Sequence, residues 1–331
     1  MSLICYKENL LDAILGLLWR QWSALGVMGY EESGSTDDLL DPEALLLFSA
    51  GFCRYDQRLY DLVADWLQTY GKLVNPTRLK ALLRKSKGVD TASLAYLAAL
   101  CERAGDRRWA RFVEKRSNTA PEQAKPLFFH KDGSPVTYCP DTDALALSFG
   151  YTRNTYKQQK KLRPHLPENN ATLHLRCRAL IGVSSRAEVI LKLAMEPSTL
   201  QQLSDYSGFA RSAVKDVLDE LALTRMVSQV EGSIRNSVYV LTPAAELKQL
   251  LLQTGPCRVI RWMNIYNALL SCWQFVSNPV LPRLSEDTIH GEITQLFRSK
   301  LQPAFINCGI GSLHAATPDS FRNLPFILSQ I

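Results

Sequence analysis

The sequence predicts a mainly α-helical protein: a helical N-terminal domain, a central unit that ends in a small β-hairpin, and C-terminal helices. Three observations support this fold class. Apolar residues recur at helical spacing through most of the chain. Helix start signals such as Asp41-Pro42 precede several of these segments. Runs rich in β-branched residues flank polar turn residues between positions 226 and 241, which indicates a hairpin.

Composition sets broad limits on the class of protein. The chain has 331 residues, 46% of them hydrophobic, which is enough for two or three domains that each have a hydrophobic core. This composition excludes a disordered chain. The net charge of +6 weakly favours a polyanionic partner. The eight cysteines are scattered without a C-x-x-C pair, which predicts neither a metal site nor a disulfide framework. Lys7, Glu8 and Asp12 interrupt the N-terminal apolar stretch, so we expect a cytoplasmic protein without a membrane partner.

The N-terminal helical domain is predicted at residues 1–116. It opens with an amphipathic helix, and Asp41-Pro42 then marks the start of a bundle with helices at 42–52, 58–70 and 76–85. Asn75 is the expected cap of the last of these. The region 41–88 could form a second helix-turn-helix-like bundle that binds DNA. Its third helix and the residues after it carry a cluster of cations that would equally suit a solvated surface, namely Arg78, Lys80, Arg84, Lys85 and Lys87.

Proline and glycine break the helical periodicity at residues 117–138, which predicts a linker between domains. We expect a basic helical connector at 139–184. Its segment 151–163 carries five basic residues and no acidic one, a composition that suits phosphate contacts as well as it suits an ordinary solvated helix. The candidate phosphate contacts there are Arg153, Lys157, Lys160 and Lys161.

The central unit, residues 185–247, reads as three short helices followed by the hairpin. Ser185 with Glu188, and Ser198 with Gln201, fit capping boxes that would start the first two helices. Ser207-Gly208 supplies a tight turn before the third helix. One stripe of that helix is apolar, whereas its opposite face carries Arg211, Ser212, Lys215, Asp216 and Asp219. Three helices and a hairpin in this order predict a winged helix-turn-helix.

The stretch 203–221, with Ser207-Gly208 and Arg211-Ser212-Ala213-Val214-Lys215, resembles the core of MarR- and ArsR-type winged-helix transcriptional regulators. The resemblance is limited to residues 185–247. It implies that residues opening the third helix contact bases and phosphates and that the wing tip contacts the backbone or minor groove. The residues expected at DNA in this unit are Ser198, Thr199, Ala210, Arg211, Ser212, Lys215, Arg225, Arg235, Asn236 and Ser237. One departure is Phe209-Ala210, where such regulators often have a capping Ser or Thr.

The function expected from this resemblance is sequence-specific binding of double-stranded DNA, with repression by promoter occlusion as the simpler mechanism. The alternative is a winged-helix protein-interaction or antitoxin-like module without a DNA target of its own. A basic face on the folded unit would favour the first, and a large exposed apolar groove the second.

The C-terminal helical region is predicted at 256–331. An apolar stripe along residues 258–276 needs a partner surface. That surface could belong to a second subunit, which would give the homodimer common among DNA regulators, or to the N-terminal bundle of the same chain.

No constellation of catalytic residues is recognisable, and we expect neither an enzyme nor a bound cofactor or metal. Asp141 and Asp143 precede an apolar helix and read as helix caps. The pairs Cys308 with His314 and His290 with Glu292 lack a third group that would complete a nucleophile and base arrangement. A glycine-rich phosphate loop is not found.

Overall fold

The computed structural model describes residues 3–30, 37–113, 123–137, 141–230, 237–253, 255–306 and 321–331, and it is mainly helical. The principal helices are α1 (Leu3–Ala24), α2 (Pro42–Phe52), α3 (Gln57–Tyr70), α4 (Pro76–Lys85), α5 (Thr91–Arg103), α6 (Ala110–Val113), α7 (Ala144–Leu147), α8 (Leu173–Ile181), α9 (Ser185–Met195), α10 (Leu200–Ser207), α11 (Arg211–Leu223), α12 (Ala244–Leu250), α13 (Trp262–Val276), α14 (Glu286–Leu296), α15 (Gln302–Ile306) and α16 (Leu324–Ser329). A π-helical turn, Phe297–Leu301, joins α14 to α15.

The strands are short: β1 (Asp38–Leu39), β2 (Lys125–Pro126), β3 (Tyr151–Thr152), β4 (Ser198–Thr199), β5 (Val227–Val230), β6 (Val238–Leu241) and β7 (Arg258–Val259). Two parallel pairs, β1 with β7 and β2 with β3, link segments that are distant in sequence. The third sheet is antiparallel with the order β4-β6-β5.

Local capping signals fix the starts of the N-terminal helices. The Asp41 carboxylate accepts from the Ala44 N–H at 3.0 Å, with Pro42 in the first turn of α2. The Asn75 side chain accepts from the first amides of α4 at 3.1 Å. Each side chain satisfies backbone donors that a helix leaves unpaired at its N-terminus. Both predicted caps are confirmed.

The C-terminal helix α13 belongs to the same hydrophobic core as the N-terminal helices. Tyr266 stacks on Phe48 with ring centroids 4.5 Å apart, and its hydroxyl contacts Gln21 Oε1 at 2.9 Å. The Trp262 indole donates to the Leu39 carbonyl at 2.8 Å. The apolar stripe at 258–276 therefore packs against the N-terminal helices of the same chain, which was the second of the two alternatives. The stripe therefore offers no support for a homodimer.

Residues 123–137 are packed against the core, which corrects the prediction that 117–138 is a linker. Leu127 and Phe128 are buried. The Arg54 guanidinium donates to the carbonyls of Leu127 and Pro126 at 2.7 and 3.1 Å. Proline breaks helical periodicity here, but the apolar side chains still enter the core, and Arg54 satisfies the backbone carbonyls. Residues 117–122 and 138 lie outside the described residues.

The basic segment 151–163 is extended rather than helical. After β3, the amides of Gln159 and Lys160 both donate to Asp65 Oδ2, at 2.7 and 2.8 Å. The Met28 amide donates to the Lys161 carbonyl at 2.9 Å. These long-range contacts hold the segment against α3 and the residues that follow α1, and they take the place of helical hydrogen bonds, so the predicted helical connector is wrong over this segment.

A second hydrophobic cluster holds α9, α10 and α11 against the three-stranded sheet. Its centre is formed by Val189, Leu203, Val214, Leu218 and Leu241. β5 and β6 pair in the register Val227 with Leu241 and Val230 with Val238. The predicted hairpin strands are therefore present.

The capping boxes predicted in this unit are corrected. The box before α10 is formed by Thr199 and Gln202, one residue later than expected. At α9 the cap position is Ser184, which makes no capping hydrogen bond through its side chain. Glu188 is fully buried and contacts other charged groups instead. Across the described residues, we find no helix that combines the length and apolar character needed to cross a bilayer.

Candidate nucleic-acid interface

A left-handed turn at Gly208 sets the direction of α11 relative to α10. Gly208 has φ +74°, a conformation that costs other residues steric strain, and its amide donates to the Ser204 carbonyl at 3.0 Å. The Ser204 hydroxyl donates to the Phe209 carbonyl at 2.8 Å. Ala210 then occupies the cap position of α11 and has no side chain that can accept from the helix. The first amides of α11 consequently lack a side-chain cap, as the Phe209-Ala210 departure indicates.

The two faces of α11 differ sharply in burial. Val214 and Leu218 are completely buried and Val217 nearly so. Arg211, Ser212 and Lys215 are exposed on the first turns of the helix, as the sequence pattern predicts. Their surroundings are not purely basic. Lys215 forms an i,i+4 ion pair with Asp219, and Asp216 is exposed nearby.

The residues expected at DNA before α11 have different positions. Thr199 is partly exposed and caps α10, accepting from the Gln202 amide at 3.3 Å. Ala210 is exposed beside Arg211. Ser198 is only 1% exposed, lies in β4, and donates through its hydroxyl to the Glu196 carbonyl at 3.2 Å. A side chain closed off in this way cannot reach a nucleic acid, so the prediction for Ser198 is corrected.

The hairpin residues are partly described. Arg225 is exposed in the turn before β5, with φ +58°. The Ser237 hydroxyl accepts from the Gln229 side-chain amide at 2.6 Å across the hairpin. Arg235 and Asn236, the predicted wing-tip contacts, lie outside the described residues.

The basic segment at 151–163 splits into one buried and several exposed cations. Arg153 is 1% exposed and donates to both carboxylate oxygens of Asp61, at 2.8 and 3.1 Å. It is therefore a core ion pair, which corrects its prediction as a phosphate contact. Lys157, Lys160 and Lys161 are exposed. They lie on the segment held by α3 and the residues that follow α1, and no hydrogen bond or ion pair among the described residues joins them to α11.

The cations of the expected second bundle at 41–88 also differ in their exposure to solvent. Lys80, Arg84, Lys85 and Lys87 are exposed. Arg78 is 2% exposed, and its guanidinium bonds Asp41 and Glu43 at 2.5 to 2.6 Å. Arg78 therefore contributes to the interior and is not available to DNA.

Sequence reasoning missed a buried group of charges where α2, α4, α8 and α9 meet. We call it the junction cluster, and its members are Asp41, Glu43, Arg78, His174, Arg178 and Glu188. Arg178 bridges the two glutamates: its Nη1 donates to Glu43 Oε1 at 2.6 Å and its Nε to Glu188 Oε1 at 2.8 Å. Each buried charge has a partner of opposite sign, and removal of one partner from such a group is strongly destabilising. The cluster joins the helical body to the unit that contains α11.

The cationic neighbours of Glu188 in the junction cluster lower its pKa. Burial alone would raise the pKa of Glu188, but Arg178 and His174 outweigh it and hold that pKa well below its usual range. His174 Nε2 lies 2.5 Å from Glu188 Oε2, and Nδ1 lies 3.2 Å from the Leu40 carbonyl. Because both partners are acceptors, both contacts are hydrogen bonds only when the ring carries two protons.

Among the described residues, the candidate catalytic groups do not come together in a site. Asp143 accepts from the Ala146 amide at 2.9 Å and caps α7, as predicted. His290 and Glu292 are exposed on α14. Cys308 and His314 lie outside the described residues, and the described part of the chain brings no three His, Cys, Asp or Glu side chains together in a metal-binding arrangement.

Comparisons with protein-family models, curated proteins and solved structures find no match to this chain.

Proposed function

We propose that residues 185–247 form a winged helix-turn-helix and that the protein binds double-stranded DNA through it, with α11 in the major groove. The observation that carries the proposal is the exposure of Arg211, Ser212 and Lys215 on the first turns of α11, while the opposite face of the helix is buried. The order of the elements also supports the proposal: a helix, a short strand, a helix, a turn, a helix and a hairpin, with the strands in the sheet order β4-β6-β5.

The dimensions of α11 suit such a contact. An α-helix with its side chains is about 10–12 Å wide, and the major groove of B-DNA is about 12 Å wide. Arg211 has the planar donor fork that matches the O6 and N7 acceptors of guanine. Lys215, one helical turn later, offers a mobile ammonium donor to a base edge or a phosphate. The uncapped first amides of α11 add donors for a phosphate.

Two exposed acidic residues on α11 should limit the affinity of this surface for DNA. Asp216 and Asp219 are exposed beside Lys215, so binding must replace the Lys215 to Asp219 ion pair by a contact with DNA. Exposed pairs of this kind contribute about 0–1 kcal/mol, which makes the exchange inexpensive. The exposed Lys157, Lys160 and Lys161 would add affinity that does not depend on DNA sequence, through contacts with phosphates.

The biological role that fits DNA binding is that of a transcriptional regulator, with repression by promoter occlusion as the simplest mechanism. A homodimer stays a prediction.

One observation favours the alternative, a protein-interaction module. Leu223 at the end of α11 is 86% exposed, and Val230 at the end of β5 is 56% exposed. Met226 between them is also exposed. Several large apolar side chains exposed on one small unit favour a protein contact. These residues are distinct from those on the first turns of α11, so variants can separate the two functions.

Fluorescence anisotropy of the whole protein tests the proposal, with the DNA upstream of its own coding region and a scrambled duplex, each at two salt concentrations. DNA binding predicts tighter, salt-weakened binding to the first duplex and a loss of about 1–3 kcal/mol in Lys215→Ala. Lys160→Ala should weaken both duplexes alike. Leu223→Ser is the matched control and should leave DNA affinity unchanged. Absence of binding to both duplexes would overturn the proposal in favour of the protein-interaction module.

A further inference from the structure

A basic cavity lies away from α11, between the end of α4, α13 and the π-helical turn Phe297–Leu301. Its volume is about 340 Å³. This lies within the range of sites that hold small ligands. It adjoins a second cavity beside the junction cluster, with which it shares Lys85, Asn264 and Asn267.

Three lysines from two segments of the chain line the basic cavity. Lys85 ends α4, Lys87 follows it, and Lys300 lies on the π-helical turn. All three are exposed and none forms an ion pair with another described residue. Within the described parts of the chain, no Asp or Glu lines the cavity. Three like charges brought together without a counter-charge repel one another, and an anion in the cavity would relieve that repulsion.

Neutral hydrogen-bonding groups form the floor. Asn264, Asn267 and Ser271 follow one face of α13. The Asn267 side-chain oxygen is buried and has no hydrogen-bond partner among the described residues. Ala268 and Ala304, both small, leave the floor open.

The π-helical turn provides a further indication of a binding site. Such turns insert an extra residue into a helix and occur frequently at functional sites. Here the turn carries Ser299 and Lys300, which both line the cavity. The turn therefore contributes one hydroxyl-bearing and one charged residue to the lining of the cavity.

We propose that the basic cavity binds a compact phosphorylated metabolite that also carries hydroxyl groups, of the sugar-phosphate class. Lysine ammonium groups bind phosphate as point charges, and the Asn and Ser side chains pair with hydroxyls. None of the described lining residues is aromatic, so the cavity offers no stacking surface for a nucleobase. The proposal concerns ligand binding and does not depend on whether the protein binds DNA.

Isothermal titration calorimetry of the full chain tests the proposal with fructose 1,6-bisphosphate, inorganic pyrophosphate and unphosphorylated fructose. We expect the bisphosphate to bind more tightly than pyrophosphate and fructose not to bind. Lys87→Gln and Lys300→Gln should each weaken the bisphosphate about tenfold, the loss expected for one charge-assisted contact. Arg298→Gln is the matched control, because Arg298 is exposed on the same π-helical turn but does not line the cavity. It should leave the affinity unchanged.

Three results would each overturn the proposal. The first is the absence of binding by both phosphorylated probes. The second is equal weakening by Arg298→Gln and Lys300→Gln, which would reduce the effect to general surface charge. The third is displacement of the bisphosphate by a short DNA duplex together with loss of duplex binding in Lys300→Gln. That outcome would make the lysines a contact for the nucleic-acid backbone instead.

Discussion

The Arg78 Nε donates to the main-chain carbonyl of Ser207 at 3.1 Å. Ser207 is the last residue of α10, and Gly208 immediately after it redirects the chain into α11. A Cβ at Gly208 would meet the Arg78 side chain at 3.6 Å, so α4 also approaches the turn closely. Arg78 is at the same time bonded to Asp41 and Glu43. A single guanidinium of the helical body therefore holds the turn that orients the proposed recognition helix.

Removing one cation from the junction cluster should destabilise the fold strongly. In Arg178→Met, Glu43 and Glu188 lose their shared buried partner, and we expect a loss of about 3–5 kcal/mol in the free energy of unfolding. Arg186→Met is the matched control, because Arg186 pairs with Glu220 at the surface and should cost less than about 1 kcal/mol. Urea denaturation followed by circular dichroism measures both. Equal losses in the two variants would contradict the assigned role.

Stability should fall in acid because of Glu188. Its folded-state pKa is depressed, so its contribution is fully present above the unfolded value of about 4.3 and is lost as the pH falls toward the folded value. Asp61 acts in the opposite sense, since burial raises its pKa despite the bonds from Arg153. We expect Glu188 to dominate, because it is fully buried and Arg178 and His174 contact both of its oxygens.

The test of this acid dependence compares urea midpoints at about pH 7 and pH 4 for the wild type and Glu188→Gln. The variant should be less stable at neutral pH but should lose less stability on acidification, because it lacks the titrating group. The same decrease in both proteins would assign the acid sensitivity to other carboxyl groups.

The negative charge beside Lys215 should limit DNA affinity. Asp219→Asn frees the Lys215 ammonium and removes a charge that repels phosphate, so the affinity for every duplex should rise about two- to fivefold, or about 0.5–1 kcal/mol. Glu196→Gln is the control, because Glu196 is an exposed carboxylate that also forms an i,i+4 ion pair, with the largely buried Lys192 of α9. Fluorescence anisotropy at low salt measures the effect. An unchanged affinity in Asp219→Asn would place the DNA contact elsewhere.

The position of the capping box before α10 is directly testable. Thr199→Ala removes the acceptor for the Gln202 amide and should cost about 0.5–2 kcal/mol in the free energy of unfolding. Ser185→Ala should be nearly neutral, because Ser185 lies inside α9 and Ser184 holds its cap position without a side-chain cap. Chemical denaturation of the two variants measures this difference. A larger loss for Ser185→Ala would restore the sequence-based capping assignment.

Sequence reasoning succeeded where a feature depends on residues close in the chain. The Asp41 and Asn75 caps and the buried stripe of α11 all arise within a few residues, so periodicity and capping rules reach them. It failed where partners distant in sequence determine whether a charged side chain is buried. Arg178 meets Glu43 across 135 positions, and Arg153 meets Asp61 across 92. A local pattern cannot tell such a buried cation from an exposed one. The charges of Arg178 and Glu188 beside apolar residues were the available signal.

Selection of bound sequences from a random duplex library tests the central claim, that the first turns of α11 read DNA. The wild type should enrich a defined motif. Arg211→Ala and Lys215→Ala should enrich motifs that are relaxed at one or two positions, because each removes a contact to a base edge. Lys161→Ala should leave the motif unchanged. Failure of the wild type to enrich any motif, or an unaltered motif in both α11 variants, would contradict the claim.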